Sequence, residues 1–304
     1  MTYPSSVRIV EVGPRDGLQN EPFTVPVQKR VELIERLADA GLKTIEAGSF
    51  VSPKWVPQMV DTAAVLANLN RHEGVSYPVL IPNTKGLDAA LAAGAQEIAV
   101  FAAASEAFSR RNTNCSIDES LDRLRSVAET ARAHGVNVRG YVSCVLGCPY
   151  EGHVAALKVA EVARHLFEMG CYEISLGDTI GVGTAVEAQK MICEVAKRVS
   201  IANLAVHYHD TYGQALANVL ASLELGIAVV DSSVAGLGGC PYASGATGNL
   251  ASEDLVYMLT GMDIETGVDL QKLAEAGWMI SDTLGRTPQS KVSIAMRSRR
   301  RSCE

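Results

Sequence analysis

Aromatic side chains are scarce in this chain, at 5%, while Ala, Val, Leu and Gly are abundant. That balance suits parallel strands covered closely by helices. Long apolar runs are also missing: none reaches the length that spans a bilayer without interruption. Positive charge is in deficit, with a formal net charge of −7. A nucleic-acid partner is therefore disfavoured, because phosphate neutralisation needs a basic surface. Arg297, Arg299, Arg300 and Arg301 form one basic run at the end, which reads as a frayed, solvated tail. The seven cysteines are odd in number, and no apolar signal segment precedes Val7. Free thiols in a reducing compartment follow, with a cytoplasmic location as the expectation. Cys144 and Cys148 have no second pair to complete a zinc–thiolate site. A glycine-rich phosphate turn is absent after the first strand, where Gly13-Pro-Arg-Asp-Gly17 stands instead. This counts against a doubly wound dinucleotide fold.

What is present is an alternation of short β-rich segments with longer helical patterns. Strands are expected at Val7–Gly13, Thr44–Gly48, Tyr77–Ile81, Glu97–Ala102, Val136–Val145, Tyr172–Leu176, Leu204–His209 and Val229–Val234. Helices follow each in turn, at Val27–Ala40, Pro57–Leu69, Leu87–Ala93, Ile117–His134, Val154–Gly170, Val186–Val199, Ala215–Gly226 and Leu250–Leu259. Gly41, Gly94, Gly135, Gly170 and Gly226 read as helix stops. Eight strand–helix pairs predict an α/β protein, a (β/α)8 TIM barrel over residues 1–262. Residues 263–304 form a small C-terminal helical extension and basic tail, with a helix at Leu270–Leu284 packed beside the barrel.

A closed barrel gives distant residues a reason to meet. His207 and His209 alternate with Tyr208 on a strand, so both imidazoles share one face. They lie at the C-terminal end of strand seven, the rim where barrel active sites are built. Asp16 follows strand one on the same rim, and Asn249 lies in the loop after strand eight. Strand one neighbours strand eight in a closed barrel, so these four residues can converge on one ion. Two imidazoles, a carboxylate and an amide oxygen favour a divalent Mg²⁺ or Mn²⁺, with Zn²⁺ a weaker fit.

Several long segments resemble 3-hydroxy-3-methylglutaryl-CoA lyases of the metal-dependent aldol and Claisen barrel superfamily. They are Val12-Gly-Pro-Arg-Asp-Gly-Leu-Gln-Asn-Glu21, Glu46-Ala-Gly-Ser-Phe-Val-Ser-Pro-Lys-Trp55, Gly140-Tyr-Val-Ser-Cys144, Gly147-Cys-Pro-Tyr150, Ser175-Leu-Gly-Asp-Thr179, His207-Tyr-His-Asp210, and Gly236-Leu-Gly-Gly-Cys-Pro-Tyr-Ala243 leading to Gly248-Asn249. The resemblance implies divalent-metal-dependent cleavage of 3-hydroxy-3-methylglutaryl-CoA to acetyl-CoA and acetoacetate, the chemistry of leucine degradation and ketone-body formation. It also implies an acyl-CoA partner and a homo-oligomer, a dimer in the family.

That reaction gives the residues roles. Arg15 can donate to a thioester carbonyl as charge develops there; a structural ion pair with Glu46 is its other reading. Cys240, in a glycine-rich loop, is the candidate general acid for the departing carbanion. The base that takes the hydroxyl proton stays open between Asp16 and His207. The resemblance puts Asp178 and Tyr141 near substrate, although Asp178 also reads as a helix N-cap. Glu46 and Asp178 join the catalytic candidates. Gln19 and Ser49 are candidate substrate contacts. Lys85, Arg110, Arg111 and Asn112, on βα loops, could meet CoA phosphates or be ordinary solvated groups.

The chain departs from the expected pattern at Pro22, where the resemblance implies a basic residue in many relatives. Arg297 stands where animal members have a cysteine, which puts thiol regulation through Cys303 in doubt. Alternative readings are a lyase for a bulkier homologue such as an isohexenylglutaryl-CoA and a condensing acyltransferase of the 2-isopropylmalate synthase type. A non-catalytic metal scaffold is the remaining one.

Overall fold

The computed structural model describes residues 3–239 and 248–303, with side chains through Arg300. Its strands are β1 (Arg8–Glu11), β2 (Thr44–Ile45), β3 (Gly48–Ser49), β4 (Val79–Leu80), β5 (Glu97–Ala103), β6 (Asn137–Ser143), β7 (Glu173–Asp178), β8 (Leu204–Tyr208) and β9 (Val229–Ser232). Its helices are α1 (Val27–Asp39), α2 (Thr62–Asn68), α3 (Thr84–Ala92), α4 (Glu106–Thr113), α5 (Ile117–Ala133), α6 (Ala156–Glu168), α7 (Ala185–Val195), α8 (Ala215–Leu223), α9 (Ser252–Gly261), α10 (Leu270–Thr283) and α11 (Lys291–Cys303).

The strands pair in parallel in the order β2-β1-β9-β8-β7-β6-β5-β4-β3. β2 and β3 are two halves of the predicted second strand. Between them, the Glu46 amide donates to the Glu11 carbonyl and the Ala47 amide to the Pro78 carbonyl. The sheet therefore closes on itself as an eight-stranded (β/α)8 barrel. Strands in a barrel are tilted and sheared against their neighbours. β1 consequently meets the start of the second strand and β4 meets its end.

The five predicted helix stops all take positive φ. At Gly41 this backbone is also a packing requirement: a Cβ there would stand 2.2 Å from the Gly267 carbonyl oxygen. The extension docks at this place. The Asp269 amide donates to the Ala40 carbonyl and the Val7 amide to the Glu265 carbonyl, each at 2.8 Å.

Other boundaries moved. The helix expected at 57–69 is a short 3-10 turn at Pro57–Met59 followed by α2, with Asp61 left-handed between them. Buried Arg30 donates to the Val60 carbonyl at 2.8 Å, and the Thr62 hydroxyl donates to the Met59 carbonyl, so side chains fill the break. The third helix starts earlier, at Thr84, because Asn83 caps it by accepting from the Gly86 amide. α4 is unexpected; Ser105 caps it by accepting from the Phe108 amide. Arg110, Arg111 and Asn112 are therefore helical rather than on a loop. The expected frayed tail is also corrected. α11 packs on α10 through Trp278, whose indole N–H donates to the Ser293 carbonyl, while Arg297 and Arg300 pair with Asp282 and Glu275. Among the described residues no helix is long and apolar enough to cross a membrane.

The apolar core lies between the sheet and the helices. Side chains of alternate strand residues point into the barrel. There Leu80, Ala99 and Tyr141 make a small apolar layer with Phe101. Beyond it the interior is charged, with Arg139, Glu173 and Asp231 all buried.

Two further buried carboxyls pin the turn after β9. Glu11 accepts from the amides of Gly13 and Val234 and from the Ser252 hydroxyl, at 2.8, 2.9 and 2.6 Å. Glu253 accepts from the Ala235 amide with both oxygens, at 3.0 and 2.9 Å. Burial pushes Glu11 up to about 7 and Glu253 up to about 8, against an ordinary 4.5, even though these donors oppose the shift. The unfolded chain gives up both protons at lower pH than the fold does. The stability tied to these protons is complete below the ordinary value and is lost as pH rises through about 7 and then about 8. Melting temperature should therefore fall from mildly acidic to mildly alkaline pH. Glu253→Gln, which keeps an acceptor oxygen, should flatten that fall in thermal melts across the range; an unchanged slope would show that Glu253 carries no such proton.

Candidate active site and metal centre

Asp16 sits in a tight π-helical turn at Gly13–Gly17, directly after β1. The amides of Arg15, Asp16 and Gly17 all point at the Val12 carbonyl, at 3.1, 2.7 and 3.2 Å. The turn needs glycine at its start, since a Cβ on Gly13 would lie 2.6 Å from a Glu11 carboxyl oxygen. His207 is in β8 and His209 just beyond it, where His209 makes a β-bridge to Asn249. Ligand atoms of Asp16, His207 and His209 all lie within 4.8 Å of one another.

Asn249 completes the group. Its amide nitrogen donates to Asp16 Oδ2 at 2.9 Å and to the Leu237 carbonyl at 3.2 Å. Its Oδ1 is buried without a hydrogen-bond partner, as is Nδ1 of His209. Buried polar atoms are ordinarily satisfied. Two orphaned acceptor-capable atoms beside an ionised carboxylate are what a divalent cation would satisfy, so the residues fit a metal. The protonation states agree. Burial opposes charge on Asp16, but Arg15, His207 and His209 outweigh it and hold the carboxyl down at about 2. Burial, then the neighbouring His207, holds His209 down at about 4, leaving a neutral imidazole at neutral pH. The donor set of oxygens and imidazoles suits Mg²⁺ or Mn²⁺, with Zn²⁺ also within its chemistry.

Arg15 is 5% exposed. Its Nε donates to Glu46 at 2.6 Å and its Nη1 to Asp16. Burial works against the guanidinium charge, yet Glu46 and Asp16 more than restore it. The ion pair with Glu46 is thus present, and it holds Arg15 beside Asp16 of the candidate metal site. Glu46 also accepts from the Tyr141 hydroxyl at 2.8 Å. Tyr141 in turn accepts from Arg139, and its ring lies 5.6 Å from the Arg15 guanidinium carbon.

The remaining candidates are placed unevenly. Asp178 is buried at the end of β7, where it accepts from the amides of Val182 and Gly183 at 3.3 and 2.8 Å. It anchors that loop, whereas Thr184 caps the following helix. Burial lifts its carboxyl to about 6 against these amides. Gln19 is half-buried one turn past Arg15. Ser49 is buried, its hydroxyl accepting from the Val51 amide at 3.4 Å. Lys85 and Asn112 are exposed on the rim, in the first turn of α3 and near the end of α4. Arg111 stacks 4.2 Å above the Tyr150 ring. Cys240 lies outside the described residues.

The chain matches the HMGL-like family over residues 6–280. It belongs to that family. It is 62% identical to the mitochondrial hydroxymethylglutaryl-CoA lyase of Bos taurus, over 97% of this chain and 90% of that protein. It is 60% identical to the 3-hydroxy-3-isohexenylglutaryl-CoA/hydroxy-methylglutaryl-CoA lyase of Pseudomonas aeruginosa, over 97% of this chain and 99% of that one. The crystal structure of hydroxymethylglutaryl-CoA lyase from Pseudomonas aeruginosa superposes with a TM-score of 0.97 at 59% identity, covering 98% of this chain and all of that one.

The barrel interior also holds buried polar residues that strand patterning alone does not single out. Arg139, Glu173, Ser175 and Asp231 form a buried polar layer beneath the cluster. A signal existed: Arg139 and Asp231 are single charges inside apolar strands, and Arg139 is two residues from Tyr141 on the same face. If His207 ligates a metal, His207→Ala should abolish stoichiometric Mn²⁺ binding while the circular-dichroism spectrum stays native. Unchanged metal stoichiometry by elemental analysis would remove His207 from the ligand set.

Proposed function

We propose that this chain cleaves 3-hydroxy-3-methylglutaryl-CoA to acetyl-CoA and acetoacetate, using a divalent cation held by Asp16, His207, His209 and Asn249. The observation that carries this reading is the convergence of three ligand residues from opposite ends of the chain beside Arg15. It occurs in a chain 62% identical to the named lyase of Bos taurus and 60% identical to that of Pseudomonas aeruginosa.

Bound there, the cation would polarise the substrate's tertiary hydroxyl and an adjacent carboxylate oxygen. The chain's own groups account for the rest. A base takes the hydroxyl proton, the C2–C3 bond breaks, and its electron pair becomes the enolate of the departing thioester. The hydroxyl carbon is left as the ketone of acetoacetate. Arg15 uses Nε on Glu46 and Nη1 on Asp16, which leaves Nη2 as the donor for the thioester oxygen where charge collects. Glu46, itself held by Tyr141, keeps that guanidinium from swinging away. Asp16 is held too low to be a strong base, which counts against it in the proton-taking role. Cys240 delivers the proton that turns the enolate into acetyl-CoA. Gln19 and Ser49 contact the acyl group, and Lys85 and Asn112 contact the CoA arm at the rim. A homodimer belongs to the same proposal on the strength of the family resemblance, and a reducing, cytoplasmic location on the strength of the free cysteines among the described residues.

A second reading has one specific support. The Pseudomonas aeruginosa relative is named for an isohexenyl substrate as well as the methyl one. A bulkier 3-hydroxy-3-alkylglutaryl-CoA is therefore the next substrate to offer.

Metal-stripped protein should produce no acetoacetate from 3-hydroxy-3-methylglutaryl-CoA and should regain production with Mg²⁺ or Mn²⁺. No acetoacetate from folded, metal-loaded protein would overturn the proposal, and turnover of the isohexenyl substrate alone would shift it to the second reading. Arg15→Lys should lose roughly a hundredfold or more in kcat, because a point charge replaces a fork that serves Glu46, Asp16 and substrate together. Near-normal kcat would confine Arg15 to structure.

A further inference from the structure

Asp231 is withdrawn from solvent, yet it accepts three side-chain hydrogen bonds and faces His207. It lies in β9 as the register partner of His207 in β8, and it is 1% exposed. Arg139 holds it with a two-pronged grip, Nη2 to Oδ1 at 2.7 Å and Nη1 to Oδ2 at 3.2 Å. The Ser175 hydroxyl donates to Oδ2 at 2.7 Å. The same Oδ2 stands 3.4 Å from Nδ1 of His207, and Nδ1 has no nearer hydrogen-bond partner.

Arg139 is fixed in its turn. Its Nε donates to Glu173 at 2.7 Å and its Nη1 to the Tyr141 hydroxyl at 2.6 Å. Tyr141 leads to Glu46, Glu46 to Arg15, and Arg15 to Asp16. One buried chain of polar contacts thus runs from Asp16 round the barrel interior to His207. Its two ends are both members of the metal cluster.

We infer that Asp231 is a positioning residue for the metal centre, fixing the ring orientation and tautomer of His207 from below. The inference rests on the reading of His207 as a ligand. A carboxylate facing Nδ1 favours the tautomer with the proton on that nitrogen. The lone pair of Nε2 is then free for a cation, and the ring cannot turn over without placing a C–H against the carboxylate. At 3.4 Å the contact is chiefly electrostatic, and the clamp of Arg139 and Ser175 keeps the carboxylate from leaving it.

Protein freed of metal by chelation is titrated with Mn²⁺ and followed by electron paramagnetic resonance, with thermal melts in parallel. Asp231→Asn should weaken Mn²⁺ binding by roughly 10–100-fold. Glu173→Gln breaks the other side of Arg139 but leaves Asp231 on His207; it should lower the melting temperature and leave Mn²⁺ affinity unchanged. Wild-type affinity in Asp231→Asn, with affinity lost in His207→Ala, overturns the inference and leaves the ligand assignment standing. Wild-type affinity in His207→Ala sinks the ligand assignment, and the inference with it. Equal losses in Asp231→Asn and Glu173→Gln would also overturn it, because general loosening of the interior would then suffice. Should Asp231→Asn not fold, nitrogen-15 spectra of metal-free wild type decide: His207 must carry its proton on Nδ1, and a proton on Nε2 instead overturns the inference.

Discussion

The parallel pairing of β1 with β9 is the contact on which everything else depends. Four residues of each strand are in register, from Arg8 opposite Val229 to Glu11 opposite Ser232. This pairing joins the first strand to the last and turns an open ribbon of strand–helix units into a barrel. It sets the turn carrying Arg15 and Asp16 against the segment that follows β9. Asn249 can then donate to Asp16 across more than two hundred residues of chain. Without the closure, the candidate ligands would be split between the edges of an open sheet.

Closure also creates an enclosed interior, and that interior is filled unusually. Branched apolar side chains ordinarily occupy it. Here Arg139, Glu173 and Asp231 are withdrawn from water, which is unfavourable for each charge taken alone. The arrangement is tolerable because the guanidinium has an acceptor for Nε and for both terminal nitrogens, and each carboxylate has more than one donor. Asp231 is consequently held well below the usual carboxylate range; burial opposes this and Arg139 overrides it. Removing one partner would leave the others buried and unpaired, so the layer is stiff by construction. Stiffness of this kind suits a candidate metal site, whose side chains must hold their geometry without the ion.

The rim is treated differently. The turn after β9, with Ala235 left-handed, is tied down by Glu11 and Glu253. The segment just beyond it supplies the Leu237 carbonyl that helps to orient Asn249. Fixed points therefore flank the glycine-rich segment containing Cys240. A stiff interior beneath the candidate metal site and tied-down backbone on the rim beside it keep Arg15, Asp16 and Asn249 in fixed relation to one another.

The sequence by itself determined the alternation of strands and helices, since hydrophobic period and helix-stop glycines are local properties. It determined the ligand candidates too, because His207 and His209 share a strand face by the two-residue repeat and Asp16 follows a strand directly. The pairing of Arg15 with Glu46 was legible for the same reason, as both lie at the ends of neighbouring strands. Tertiary structure decided where short helices begin, because caps such as Asn83 and Ser105 compete with many similar residues. It decided that the arginines near the end join a helix, since their acidic partners on α10 are remote in sequence. It alone joined Arg139 to Asp231, 92 residues apart. A lone charge in an apolar strand announces that it needs a partner; only the closed barrel says which one it finds.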